Sequence, residues 1–300
     1  MRTKVITVVG VVGLVASLAA HPSALLGMPR AISEGQAPAP RLPHASALVG
    51  VARAPIEGQG QAARTPGGAP DLRQVLYDMA DSIGMLRNAQ EVDRIGSMNY
   101  WATGTVMSGT QTCKVVDYRA SVNWIHKGMR VDYKCDGSPQ RHVEVVKDNL
   151  AWNETEPGKG GTPVTGAAND RALLLWTLPA GAIKAANEAG AATKVAVESG
   201  RTVVNFPIAS LNATMKLTLD KDSHIEQVES RMGTTTTVTI YGEYGDWNGA
   251  DYLSDVLFPK RIVQKRGTAA IMDLTVTKTN TYNPYVILPV PANVTATGAR

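Results

Sequence analysis

The chain has 300 residues, 44% apolar and 19% charged, with a mean hydropathy of −0.10, which excludes a wholly disordered chain and a polytopic membrane protein. Its net charge of +4 resides in the first 70 residues, where six Lys/Arg face only Glu34 and Glu57, while residues 71–300 carry 24 basic and 24 acidic side chains. Without a concentrated positive field, the folded part has no electrostatic basis for binding nucleic acid.

Arg2 and Lys4 precede an apolar run, Val5 to Ala20, that ends among the small residues Ser17, Ala19 and Ala20. This is the pattern of a cleaved secretory signal, assigned to residues 1–24. The run is shorter than the roughly 20 residues a membrane-spanning helix needs, and an uncleaved anchor is the alternative. From His21 to Pro70 the chain holds 8 of its 17 prolines and 7 glycines, with no apolar period. Such a segment cannot bury enough surface to offset its ordering entropy, so 25–70 is read as a Pro/Gly/Ala-rich disordered linker. The expected location is periplasmic or secreted. Cys113 and Cys135 are the only cysteines, and in an oxidising compartment they are expected to form one disulfide. With Lys127–Gly128 as the intervening turn, they do not sit opposite each other. A bulge, or a bridge to a non-partner strand, is therefore expected.

Residues 71–300 form the folded domain. Asp71 with Gln74 three residues on reads as a helix start, followed by Leu72, Val75, Leu76, Met79, Ile83 and Leu86 at helical spacing. Strands are predicted over 99–106, 115–126, 129–135, 141–147 and 150–154. A Gly-rich loop over 157–168 leads to a helix from Asn169 or Asp170 through Trp176, and Pro179 begins another, ending near Glu188. A long meander follows, near 193–198, 201–206, 212–219, 224–232, 234–244, 257–266 and 268–279, with a further edge near 286–290. Ala213, Met215, Leu217 and Leu219 alternate with polar residues, as do Ala270, Met272, Leu274 and Val276. Period two with one polar face predicts an antiparallel sheet wet on one side. Its apolar face must be covered, and the predicted helices are the available cover. The expected fold class is α+β: a strongly curved antiparallel sheet, an unclosed β-barrel, under an N-terminal helix and a mid-chain helix pair.

That order of elements resembles the outer-membrane lipoprotein carrier superfamily (LolA/LolB-like), in particular exported bacterial proteins of that fold. The likeness is carried by Tyr244-Gly245-Asp246-Trp247, by Leu257 to Lys265, by Asp273-Leu274-Thr275-Val276 and by the stretch ending near Ile287-Pro289-Val290-Pro291. It also draws on Arg201 to Phe206 and Gln227-Val228-Glu229, and it spans roughly 71–295. The resemblance implies an unclosed barrel with a helical lid over an apolar cavity that shields acyl chains. It implies as partners an apolar small molecule, a lipid or an acylated protein, with peripheral contact to a membrane or an outer-membrane partner. The family's functional arginine finds no single matching position here.

Trp101, Trp124, Met129, Trp152, Leu173, Trp176, Met215, Met232 and Met272 are the expected cavity lining. They supply the bulk that two phenylalanines cannot, and Met packs adaptably around irregular ligands. No nucleophile elbow, zinc-protease helix or phosphate loop occurs, so no catalytic residue is assigned and no cofactor is expected. His142 and Glu144 would share one strand face and form the alternative site of a secreted hydrolase or lyase. Asp220, Asp222, His224 and Glu226 are the candidate metal ligands by oxygen count, although they lack the spacing of a calcium loop. Asp246, Asp251 and Asp255 with Trp247 and Tyr252 form an acidic-aromatic loop. The leading expectation is an exported, non-enzymatic binding protein for an acyl chain or other apolar ligand. A structural or surface-interaction module without ligand is the third reading.

Overall fold

A computed structural model describes residues 70–86, 95–247, 256–281 and 283–298, the side chains of 296–298 excepted. The signal (1–24) and all but the last residue of the linker (25–70) lie outside the described residues. Thirteen strands form one antiparallel sheet: β1 (Ser97–Ser108), β2 (Gln111–Asn123), β3 (Gly128–Cys135), β4 (Arg141–Lys147), β5 (Leu150–Glu154), β6 (Thr162–Pro163), β7 (Lys194–Glu198), β8 (Arg201–Ile208), β9 (Ala213–Leu219), β10 (Ile225–Met232), β11 (Thr235–Asp246), β12 (Leu257–Arg266) and β13 (Ala269–Asn280). The order is β6-β5-β4-β3-β2-β1-β13-β12-β11-β10-β9-β8-β7. Among the described residues β6 and β7 are therefore the edges, and the sheet is unclosed. The single long-range join is β1 with β13, pairing Asn99 with Asn280 through Val106 with Met272; every other pairing is between sequence neighbours.

Strong curvature follows from what the strands enclose. β3 and β10 stand six places apart, about 29 Å in a flat sheet at ~4.8 Å per strand. Yet Met129 and Tyr133 of β3 line the same cavity as Ser230 and Met232 of β10. Bulges supply the bending. The register slips at Ala102/Gly104, Val115/Asp117, Ile225/Gln227 and Gln264/Lys265. Gly104 is obligatory at the first of these: its φ is +143°, and a Cβ there would lie 2.1 Å from the Asp273 carbonyl oxygen.

The inner face is covered by α1 (Leu72–Ser82), α2 (Ala168–Thr177) and α3 (Pro179–Glu188). Asp71 caps α1, its carboxylate accepting from the Gln74 amide at 2.9 Å. Met79, Ile83 and Met85 are buried with Tyr100, Val122, Leu175, Ile183, Met215 and Leu217 in the principal core. The expected helix through Leu86 stops at Ser82, where Gly84 takes a positive φ of 71°.

The outer face is less wet than the alternation suggested. Val143, Val145 and Trp152 point outward and are covered by Val286, Leu288 and Val294 from the C-terminal segment. That segment, predicted as an edge strand, is instead a strap outside the ladder that ends in α4 (Ala292–Gly298). Pro289 and Pro291 lack the amide protons a ladder requires. Among the described residues, no helix is long and apolar enough to cross a membrane.

The disulfide joins Cys113 to Cys135, with Cα atoms 5.4 Å apart, well within the usual range. The bulge between Val115 and Asp117 sets Cys135 against Val115, which is how two cysteines out of simple register across this hairpin meet.

Candidate functional site

Between α2 and the inner face lies a cavity of about 390 Å³, at the small end of the roughly 300–1,000 Å³ of ligand pockets. β1 to β3 contribute Val106, Met107, Tyr118, Met129, Val131 and Tyr133. β4 contributes Glu144 and Val146, α2 contributes Asp170, Arg171, Leu173, Leu174 and Thr177, and β10 to β13 contribute Ser230, Met232, Thr237, Gln264, Arg266 and Met272. The wall is thus apolar toward β1–β3 and hydroxylic toward β10–β12. Charges stand in two groups, Glu144 with Asp170 and Arg171 on the α2 side, and Arg266 opposite.

Local sequence places these groups. On β4, even-numbered His142, Glu144 and Val146 face inward and odd-numbered Val143 and Val145 face outward, a direct result of the two-residue period. On α2, Leu173 and Leu174 reach the cavity, whereas Leu175 and Trp176 turn into the core beneath α3. Arg171 is fixed from every side. Its Nη1 donates to the carbonyls of Val145 at 3.2 Å and Trp152 at 2.8 Å, its Nη2 to Asn153 Oδ1 at 2.6 Å, and its Nε lies 3.4 Å from Glu144 Oε2. Burial lowers its pKa, and the Glu144 carboxylate opposes that shift. Burial likewise raises the phenol of Tyr133 and pushes that of Tyr118 well above its usual range.

Of the nine residues expected to line the cavity, Met129, Leu173, Met232 and Met272 do so. The other five sit elsewhere. Trp124 donates from Nε1 to the Leu175 carbonyl at 3.2 Å, tying the α2–α3 corner to the sheet. Trp152 lies under the strap and donates to Glu154 at 2.9 Å. Trp176 and Met215 are buried in the principal core. Trp101 is on the outer face, flanked by Arg119 and Lys278. Large aromatics fill space wherever a core needs volume, so their size alone does not locate a cavity. The lining from β10 to β12, including Thr237, Gln264 and Arg266, was missed because polar side chains on alternating strands read as a solvated face.

The alternative catalytic pair faces inward but finds other partners. His142 stacks on Tyr133 with ring centres 4.8 Å apart, and Glu144 meets Arg171. Of the candidate metal ligands, Asp220, Asp222 and His224 bring ligand atoms within 4.8 Å of one another. Glu226 is elsewhere, paired with Arg201 at 2.8 Å. The three groups close a turn: Asp220 Oδ1 accepts from the Asp222 and His224 amides, and Asp222 pairs with Lys221 at 2.6 Å. The His224 ring stacks on Tyr244. In the acidic-aromatic loop, Trp247 donates to the Phe258 carbonyl at 2.9 Å, and Asp251, Tyr252 and Asp255 lie outside the described residues.

No family model matches this chain, and no curated protein matches it. Among solved structures it is similar to a LolA superfamily protein, NE2245 of Nitrosomonas europaea, at 10% identity over 73% of this chain and 96% of that one, with a TM-score of 0.42. It is also similar to LprF of Mycobacterium bovis, at 11% identity over 72% and 99%, with a TM-score of 0.29. Neither likeness assigns a role to this chain.

Proposed function

We propose that this chain is an exported, non-enzymatic binding protein that holds an acyl chain or another apolar ligand between the curved sheet and α2. The observation that carries this reading is the cavity: Val106, Met129, Val131, Leu173, Met232 and Met272 present apolar surface around about 390 Å³. Burial of each methylene there contributes about 0.8 kcal/mol. Polar groups at the α2 side and at Arg266 orient one end of an amphiphile. A disulfide fits an oxidising, exported setting. The partner is an apolar small molecule, a lipid or an acylated protein, and no cofactor enters the proposal.

The test is native mass spectrometry of chain purified without detergent, followed by organic extraction, on the parent and on Met232→Trp. Met232 is half-buried at the cavity wall, and the larger indole intrudes on the space an acyl chain would take. A stoichiometric acyl species in the parent that is lost in folded Met232→Trp supports the proposal. An apo parent that also gains no added fatty acid overturns it. The same acyl load on both chains overturns the cavity as its seat.

A further inference from the structure

Three of the most solvent-exposed large hydrophobic side chains among the described residues gather at one end of the outer face. Ile125, 67% exposed, projects from the β2–β3 turn. Tyr285 and Ile287, 83% and 70% exposed, lie on the C-terminal strap. The strap runs past that turn: the Asn123 side-chain amide donates to the Val286 carbonyl at 2.9 Å, and a Cβ on Gly128 would lie 2.8 Å from Leu288. Buried and exposed side chains alternate along the strap. Val286 and Leu288 are buried against the sheet, and Tyr285 and Ile287 point away from it. Leaving them in water adds nothing to folding, and clustered apolar exposure of this kind marks an interaction surface.

A second feature lies behind this tip on the same face. Trp101 of β1 stands directly opposite both Arg119 of β2 and Lys278 of β13. The guanidinium carbon and the ammonium nitrogen lie 5.2 and 5.1 Å from its ring centre. Four register steps separate this row from the Ser97–Asn123 pair at the base of the tip, about 13 Å at strand rise. Neither cation has a carboxylate partner among the described residues. The neighbouring acids are committed elsewhere, Asp117 and Asp132 to Arg141, and Asp273 to Arg261. Asp117 and Asp273 also lie on the far side of the row from the tip. Between row and tip, Asn99 and Ser121 are uncharged and buried, Asn99 bonding to Ser121 and to Asn283 at the start of the strap.

We propose that this end of the outer face docks the protein on an anionic phospholipid bilayer. Ile125 and Ile287 enter the interface, and Tyr285 sits at the headgroup boundary where amphipathic rings partition. Arg119 and Lys278, on either side of Trp101, meet lipid phosphates, whose attraction acts within a Debye length of the surface. The surface is separate from the cavity, and the proposal holds whether or not the cavity takes an acyl chain.

The experiment uses the full chain with vesicles of phosphatidylcholine, alone or with phosphatidylglycerol, bearing a nitroxide near the headgroup. Trp101→Phe is subtracted from the parent so that the emission read is that of Trp101 alone. Every variant keeps the N-terminal apolar run, so a loss of quenching among them reads this surface alone. Quenching of Trp101 by the anionic vesicles, weakened by salt, is expected. Ile125→Ser/Ile287→Ser should lower the fraction quenched at fixed lipid about tenfold, since two buried aliphatic side chains are lost. Arg119→Gln/Lys278→Gln should abolish the preference for anionic over neutral vesicles. All four positions lie on the surface, and unchanged melting curves confirm that the variants fold. An unquenched Trp101, or quenching that both double variants retain, overturns the proposal. A parent dimer that Ile125→Ser/Ile287→Ser converts to monomer, with vesicles ignored by both, overturns it in favour of a contact between two copies of the chain.

Discussion

The Arg171 guanidinium donates to the Trp152 carbonyl at 2.8 Å, so the first turn of α2 is fastened directly to β5. Two further hydrogen bonds, to Val145 and Asn153, and the ion pair with Glu144 complete the fastening. Together they set where the cavity closes on the α2 side. Arg171→Met keeps the stem and removes the donors. Hydrogen bonds from charged donors are worth about 1.5–3 kcal/mol each, and the stranded carbonyls recover water in part, so a loss of about 2–3 kcal/mol is expected. Amide exchange should accelerate across 168–177 more than across β8–β10. Arg171→Lys should not restore protection, because one ammonium cannot replace the planar fork. Uniform exchange across the fold in Arg171→Met would refute the fastening role.

Gly181 makes the α2–α3 corner in an equally specific way. A Cβ there would lie 2.4 Å from the Leu175 carbonyl oxygen and 2.6 Å from Trp124 Nε1, the two partners of the bond that ties this corner to the sheet. Gly181→Ala therefore cannot be relieved by rotating a side chain. It should cost about 1–3 kcal/mol by overpacking and shift Trp124 emission toward that of a wetter indole. Trp124→Phe, which removes the donor together with the pyrrole ring that crowds this position, should make Gly181→Ala less costly. A double-mutant cycle that sums additively would show that the indole is not the obstruction.

The bridge between Cys113 and Cys135 closes a loop of sequence separation 22. In the chain-entropy account, reduction should lower stability by about 3 kcal/mol. The measurement is the urea midpoint with and without reductant, alongside a Cys113→Ala/Cys135→Ala variant. The reduced parent and the double variant should agree. Equal midpoints for oxidised and reduced chains would show that the hairpin is held entirely by its ladder and core contacts.

Much of the sheet was legible in the residues. β4, β5 and β12 fall on the predicted bounds, since sharp turn signals flank each alternating run. The cover by α1, α2 and α3 follows from three helices and one apolar face. Curvature as such was inferred, and a bulge in the Cys113–Cys135 hairpin was one of two expected ways to join the cysteines, yet the other bulges were not, since a bulge depends on the partner strand: Gly104 is special only because the Asp273 carbonyl approaches it. In the sequence, Val286 and Leu288 alternate with their neighbours as residues of an edge strand would. Their burial is against the outer face, and prolines 289 and 291 were the available sign. Site residues were the least legible. Four methionine and leucine positions reach the cavity, while tryptophans chosen for bulk fill cores or, like Trp101, lie outside. The polar side of the cavity wall needs the curl of the sheet, which brings β10–β12 opposite β3, and no local pattern reports that.

Buried phenols make the fold sensitive to alkali. Burial pushes Tyr100 up to about 12, only partly offset by its contact with the Tyr118 hydroxyl at 3.5 Å. Burial also raises Tyr118, Tyr241 and Tyr244. The Tyr241 hydroxyl donates to the Thr177 carbonyl at 2.6 Å, and that of Tyr244 to the Ile225 carbonyl at 2.8 Å, so each holds its proton in the native state. Their folded pKa values lie above the unfolded value of about 10. Below that value both states keep the proton and stability is fully present. As pH rises past it, the unfolded chain ionises first and binds fewer protons than the native state, so stability falls. The loss for Tyr100 levels off only above about 12, where it amounts to roughly 2–3 kcal/mol. Urea unfolding followed from about pH 8 to about pH 11.5 should show a flat region and then a decline. Phenolate absorbance of the buried rings should appear together with loss of structure rather than before it. Tyr100→Phe should make the decline shallower by about one proton's worth of slope. Native chain that develops the full phenolate signal with an unchanged urea midpoint would contradict the burial of these rings.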